Sequence, residues 1–252
     1  MSNQYAYCIV SISPVRSNPS DAAEIVTQLL FGEIVNIEEM GSPWCEITTL
    51  TDNYQGFADI KHLHLLTEKE VNRWLDGFTY LRDLFVEIDT PWGSQRIFKG
   101  SLIPFHLTDN FKIGPDQFAL TTSISTFTRK NAFETAQEYL NSPYLWGGKT
   151  PFGIDCSGLT QMVFRFLDIN LPRDASQQVD TGQLVEFDEI IPGDLAFFHN
   201  KDERIIHVGI LDGKGSIIHA SGMVRIDLFN EEGIIHTQTC TKTHQLNCIK
   251  RM

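Results

Sequence analysis

Short apolar-rich runs at 8–13, 24–30, 33–39, 44–50 and 55–59 are separated by polar breaks, and each has the length and β-branched content of a strand. The breaks carry turn chemistry: Ser17-Asn18-Pro19-Ser20, Gly41-Ser42-Pro43 and Thr51-Asp52-Asn53. Five such strands in about 60 residues predict a small barrel. The period then changes. Thr67-Glu68-Lys69-Glu70 is a capping-box sequence, and Val71, Trp74, Leu75, Phe78 and Leu81 follow at helical spacing, which predicts a linker helix. Strand-like runs return from Leu84 to Thr122, punctuated at Pro91-Trp92-Gly93-Ser94, Lys99-Gly100-Ser101 and Asp109-Asn110, without a fixed-period repeat of the first barrel. From Asn131 onward the order is helix, loop, helix, then strands. The division expected is a barrel over 1–67, a linker helix with a second β-unit over 68–125, and an α+β domain over 126–252.

The last segment carries the chemistry. Residues 144–158 form a loop with glycines at 147, 148 and 153, followed by Leu159, Met162, Val163, Phe166 and Leu167 on one helical stripe. Cys156 therefore falls at or just before the first turn of a buried helix. There the helix dipole is expected to lower the thiol pKa, and free backbone N–H groups are available to a developing oxyanion. A buried structural cysteine is the plain alternative.

A thiol needs a base. Of eight histidines, His207 and His219 sit in two apolar runs around Asp212-Gly213-Lys214-Gly215, a hairpin signal. Pairing Leu211 with Gly215 sets His207 directly opposite His219; a strict two-residue loop sets them on opposite faces. His236, Cys240, His244 and Cys248 recur every four residues, as helical metal ligands would, but the Thr- and Ile-rich stretch 234–243 favours strand and turn. No metal or cofactor is required by the cysteine chemistry.

Composition narrows the partners. A formal net charge of -12 argues against nucleic acid or an anionic membrane and suits a substrate bearing amino groups. No run approaches a membrane span, no signal is visible in the first residues, and five cysteines lack a disulfide rhythm. A monomer in a reducing cytoplasm is the expectation.

Tyr144-Leu145-Trp146-Gly147-Gly148, Asp155-Cys156-Ser157-Gly158, Leu171-Pro172-Arg173-Asp174, Pro192-Gly193-Asp194, His207-Val208-Gly209-Ile210 and Ile218-His219-Ala220 together resemble the NlpC-type bacterial cell-wall cysteine peptidases. The resemblance covers residues 130–230 and implies a papain-like domain with a Cys156, His207, His219 triad. Val15-Arg16-Ser17, residues 28–33 and Tyr54-Gln55-Gly56-Phe57 resemble a bacterial SH3-like module, with Phe57 where such modules often carry Trp. The combination resembles the γ-D-glutamyl-L-diamino acid endopeptidases, which cut murein peptides that have a free N-terminal L-Ala. It implies that Tyr144, Trp146, Asp155, Ser157 and Asp174 line the substrate cleft and that Glu33 and Tyr54 reach in from the first module. Asp174 also reads as a helix N-cap, and Asp194 as a turn residue. Amidase or acyltransferase chemistry on the same fold, or a non-catalytic wall-peptide binder, are the rival readings.

Overall fold

The computed structural model describes residues 4–106, 110–125 and 130–252, so Asp109 and the expected boundary residue 126 lie outside the described residues. The chain divides into two compact units, Met1–Phe127 and Thr128–Met252.

In the first unit, β1 (Gln4–Cys8), β2 (Ile12–Arg16), β3 (Ile25–Leu30), β4 (Ile34–Glu39), β5 (Trp44–Thr49), β6 (Gln55–Asp59) and β7 (Leu63–Leu66) form one antiparallel sheet. Its order is β3-β2-β6-β5-β4-β1-β7. Cys8, Val15, Leu29, Val35, Cys45, Ile47 and Ala58 fill its interior. The single strand expected over 8–13 is a bend between β1 and β2. Cys8 ends β1 by exchanging backbone bonds with Glu33 and Gly32, and no glycine or proline marks the corner in sequence.

Helix α1 (Glu68–Leu75) starts with the expected box, Thr67 Oγ1 accepting from Glu70 N–H and Glu70 accepting from Thr67 N–H. It stops at Leu75, short of the expected Leu81. Phe78 instead opens β8 (Phe78–Tyr80). A helical stripe cannot reveal that Phe78 belongs to a strand and that Leu81 enters the core just after it. β9 (Phe85–Thr90), β10 (Gly93–Phe98), β11 (Leu102–Pro104), β12 (Asn110–Ile113) and β13 (Asp116–Leu120) complete the unit as a four-stranded sheet, β10-β9-β13-β12, and a β11-β8 pair. Tyr7, Phe31, Ile34 and Leu66 of the barrel share one core with Val71, Trp74, Val86, Ile88 and Phe118. Trp74 Nε1 donates to the Gly32 carbonyl at 2.9 Å. Gly32 has φ +82°, and a Cβ there would lie 2.9 Å from the Leu102 carbonyl oxygen, so the joint admits only glycine.

In the second unit α2 (Ala132–Gln137) is capped by Asn131 and followed by the short pair β14 (Lys149–Thr150) and β15 (Gly153–Ile154). Then come α3 (Cys156–Arg165), which is buried along its length, and α4 (Ala175–Gln178). β16 (Gln183–Leu184), β17 (Leu195–His199), β18 (Ile205–Leu211), β19 (Ser216–Ser221), β20 (Met223–Asn230), β21 (Gly233–Ile235) and β22 (Lys242–Arg251) run β16-β22-β17-β18-β19-β20-β21. β21 also pairs with β22, which closes the last six strands on themselves. Among the described residues no helix is long and apolar enough to cross a membrane.

Candidate active site

Helix α3 begins where the sequence predicts because Asp155 caps it. Asp155 is extended, and its Oδ1 accepts from Gly158 N–H at 2.6 Å. Its Oδ2 accepts from Gly147 N–H at 2.8 Å, which ties the glycine loop to the helix start. Arg173 closes the same knot, donating from Nη1 to Asp155 Oδ1 and to Ser157 Oγ, each at 3.0 Å, and from Nη2 to Asp155 Oδ2. Asp155 and Ser157 were expected to line the cleft. Both are buried, with their oxygens turned to Arg173 and to each other, so they hold the loop in shape rather than offering open acceptors. Gly158 is required at this crossing: a Cβ would stand 2.3 Å from the Gly148 carbonyl oxygen.

Facing Cys156 is β18. The hairpin register differs from both expected pairings: Gly209 lies opposite His219, Ile210 opposite Ile218 and Leu211 opposite Ile217. Asp212 is the cause. It bonds Ser216 across a three-residue loop, and its Oδ1 accepts from Lys214 N–H and Ser216 N–H. The shift from the expected pairing is even, so His207 and His219 remain on one face as diagonal neighbours. Their rings meet with His207 Nε2 2.8 Å from His219 Nδ1.

The line continues to a residue that sequence reasoning missed. Asp227 Oδ2, on β20, is 3.1 Å from His219 Nε2, and Arg225 Nη2 and Thr237 N–H donate to Asp227 Oδ1 at 2.9 Å. Its signal in sequence is one acid at a buried position of an apolar strand. Burial would raise this carboxyl, but the bonds from His219, Thr237 and Arg225 outweigh it and hold the pKa well below the usual range. A carboxylate there accepts the His219 Nε2 proton, which leaves His219 Nδ1 as an acceptor for His207 Nε2–H. His207 Nδ1 is then the unprotonated nitrogen, as a base must be.

The expected lowering of the Cys156 thiol is not found. Burial, reinforced by Asp155, pushes it up to about 12 against the Val208 and Ser157 N–H groups and Arg173. Only 7 % of the residue is exposed, and dehydrating a thiolate costs more than the partial charges of a helix end return. Burial, with His219 and His244 nearby, drives His207 well below 6.5. Both shifts favour a neutral thiol and a neutral imidazole.

These shifts make stability pH-dependent. The folded-state pKa values of His207 and His244 lie below 6.5, His244 at about 4, so their contribution is present above pH 6.5 and lost as pH falls towards 4. Cys156, raised from 9.0 to about 12, works oppositely and loses its contribution as pH rises across that interval. Thermal melts are expected to show a plateau between these limbs. An acid limb beginning only below pH 4 would contradict the assignment.

Of the other expected site residues, Tyr144 is half-buried and bridges to Ile154; burial and the nearby Cys156 and Asp155 raise its phenol to about 12, so it keeps its proton at neutral pH. Trp146 is 60 % exposed on the glycine loop, with Leu145 and Phe152 also exposed. Asp174 is half-buried as the N-cap of α4, and Gln177 accepts from its N–H at 3.4 Å. Asp194 accepts from Ile191 N–H and pairs with Arg251, as a turn residue. Glu33 and Tyr54 belong to the first unit. Glu33 is buried and its Oε2 accepts from Leu30 N–H, while Tyr54 N–H donates to Thr49 Oγ1. His244 and Cys248 lie on strand β22, with His236 and Cys240 in the preceding turn. Among the described residues no group of three or more His, Cys, Asp and Glu is placed to hold a metal ion.

The profile of the NlpC/P60 family matches residues 141–243, and that of the bacterial dipeptidyl-peptidase SH3 domain matches residues 15–63. The chain is 37 % identical over 124 residues to the probable endopeptidase NlpC of Escherichia coli, which takes in 47 % of this chain and 79 % of that one. It is 36 % identical over 104 residues to the γ-D-glutamyl-L-lysine dipeptidyl-peptidase of Bacillus subtilis, over 40 % of this chain and 35 % of that protein. A crystal structure of an NlpC/P60 family protein from Bacillus cereus is similar with a TM-score of 0.78 and 19 % identity, over 98 % of this chain and 99 % of that one. The expected architecture, α+β with an SH3-like module before a papain-like domain, is thereby borne out.

Proposed function

The chain belongs to the NlpC/P60 family of cysteine peptidases, and from that premise we propose that it hydrolyses the γ-D-glutamyl–diamino acid bond of murein peptides with a free N-terminal L-Ala. The observation that carries the chemistry is the line His207–His219–Asp227, whose polarity leaves His207 Nδ1 able to take a proton. The activity for which the Bacillus subtilis relative is named supports the choice of bond.

His207 Nδ1 accepts the Cys156 proton as the sulfur attacks the carbonyl, so the thiolate forms only when a substrate is there to receive it. His219 and Asp227 stabilise the imidazolium. His207 then protonates the leaving amine, and water, deprotonated by the same nitrogen, releases the acyl group from sulfur. Tyr144, still protonated, and the backbone N–H groups at the start of α3 stand beside Cys156 as donors for the developing oxyanion. Trp146 offers an apolar wall, and Asp174 is the anion that the catalytic unit supplies for the alanine ammonium. The reading extends to wall peptides recycled in a reducing cytoplasm, which rests on composition and the cysteine pattern.

The test is mass spectrometry of L-Ala-γ-D-Glu-diaminopimelate incubated with the protein beside its N-acetylated copy. Diaminopimelate is expected from the free-amine peptide alone. Equal cutting of both would remove the ammonium requirement, and no cutting of either would sink the choice of bond.

A further inference from the structure

His244 takes no part in the hydrogen-bonded line, yet its ring lies over that of His207, with centroids 4.2 Å apart and planes 24° from parallel. Strand β22 brings it there by pairing with β17 on one side and β21 on the other. Phe198 of β17 packs on both imidazoles, its ring 5.9 Å from His207 and 5.8 Å from His244. The titratable groups facing His244 are His207 from β18, His219 from β19 at 5.8 Å and Asp227 from β20. His199 of β17 pairs with Gln245 and so points to the opposite face, and Lys242 of β22 pairs with Glu232. β21 carries no titratable side chain.

We propose that His244 is a positioning residue, one whose stacked ring holds the plane of His207 and gives an aromatic face to the charge that His207 gains on taking the Cys156 proton. This rests on the reading of His207 as the base. One hydrogen bond at Nε2 fixes a single edge of an imidazole and leaves the ring able to tilt about it. A face packed at 4.2 Å removes that tilt and keeps Nδ1 aimed. An uncharged ring also attracts a cation set over its face. Burial, with His219, draws His244 down to about 4, so at neutral pH it presents such a ring. In acid it becomes a second cation against His207 and opposes the charge it otherwise favours.

The experiment uses the full chain as wild type, His244→Ala and His244→Phe, with two readouts. The first is the pH profile of kcat and KM on the murein tripeptide. The second, which needs no peptide, is the rate at which iodoacetamide alkylates Cys156, resolved from the other cysteines by mass spectrometry. His244→Ala is expected to lower kcat and the alkylation rate by about tenfold with KM unchanged. His244→Phe restores most of both and carries activity to lower pH, because nothing at that position titrates. Equal alkylation rates in all three proteins would overturn the proposal. So would a His244→Phe protein that melts like wild type but is as slow as His244→Ala. Dependence of alkylation on His244 without cleavage of any peptide would uphold the positioning role and remove the substrate reading; cleavage indifferent to both variants would do the reverse.

Discussion

Cys156→Ala is expected to lose cleavage of the murein tripeptide by at least about 10⁴-fold while folding and binding it as the wild type does. The loss is large because the acyl-enzyme has no other route. Val208, next to His207 on β18, gives its backbone N–H to the Cys156 sulfur, and on the proposed mechanism the imidazole line behind it takes this one proton. Folding survives because the helix is capped by Asp155, not by Cys156, and because the thiol makes few demands of its surroundings. Deleting one buried sulfur leaves a small cavity, expected to cost about 1 kcal/mol. Replacing Cys156 by Ser should be nearly as damaging: a hydroxyl is harder still to deprotonate than this buried thiol. The checks are product release by mass spectrometry and peptide binding by calorimetry. Residual turnover within tenfold of wild type would exclude Cys156 as the nucleophile.

Arg173→Met is expected to cost about 3–5 kcal/mol of stability, the range for removing one partner of a buried ion pair. The side chains of Arg173 and Asp155 are 1 % and 8 % exposed, and neither has water to replace the other. Without the guanidinium, Asp155 keeps the Gly147 and Gly158 N–H groups and the Ser157 hydroxyl, none of them charged, and Ser157 loses the donor it had in Arg173. The unit that melts holds about half the chain, so the midpoint should fall by roughly 10 °C or more. The damage also reaches activity, since Asp155 is the pin between the glycine loop and the first turn of α3. Adding Asp155→Asn to Arg173→Met should recover part of the loss, because Asn still caps the helix and buries no charge. A midpoint for Arg173→Met within 2 °C of wild type would show that the pair is structurally idle.

Much of the site was legible because its signals are local. The start of α3 could be read from Asp155, the glycine loop and the apolar stripe, all within a few turns of chain. The shared face of His207 and His219 survived an error of register, because the period of a strand is two and the shift was even. The expected helix does not run on to Leu81 for the complementary reason: Phe78 and Leu81 fit a helical stripe, and only the pairing of β8 with β11 and the core that Leu81 joins show what they pack for. Asp227 and His244 carry no local signal because each owes its meaning to a neighbour on another strand. Asp227 meets His219 from the adjacent strand, and His244 meets His207 because β22 and β18 flank the same strand, β17.

By itself the sequence determined the candidate nucleophile, its helix, the pair of histidines and the small barrel ahead of them. These depend on caps, turns and periodicity, whose interactions span a few residues and leave their pattern in the order of the chain. Only the tertiary structure decided which nitrogen of His207 is left free of the hydrogen-bonded line, which acid bonds His219, which ring lies over His207 and how deeply the thiol is buried. Those outcomes depend on distance and on the exclusion of water, and both are set by elements that meet through folding rather than through succession along the chain.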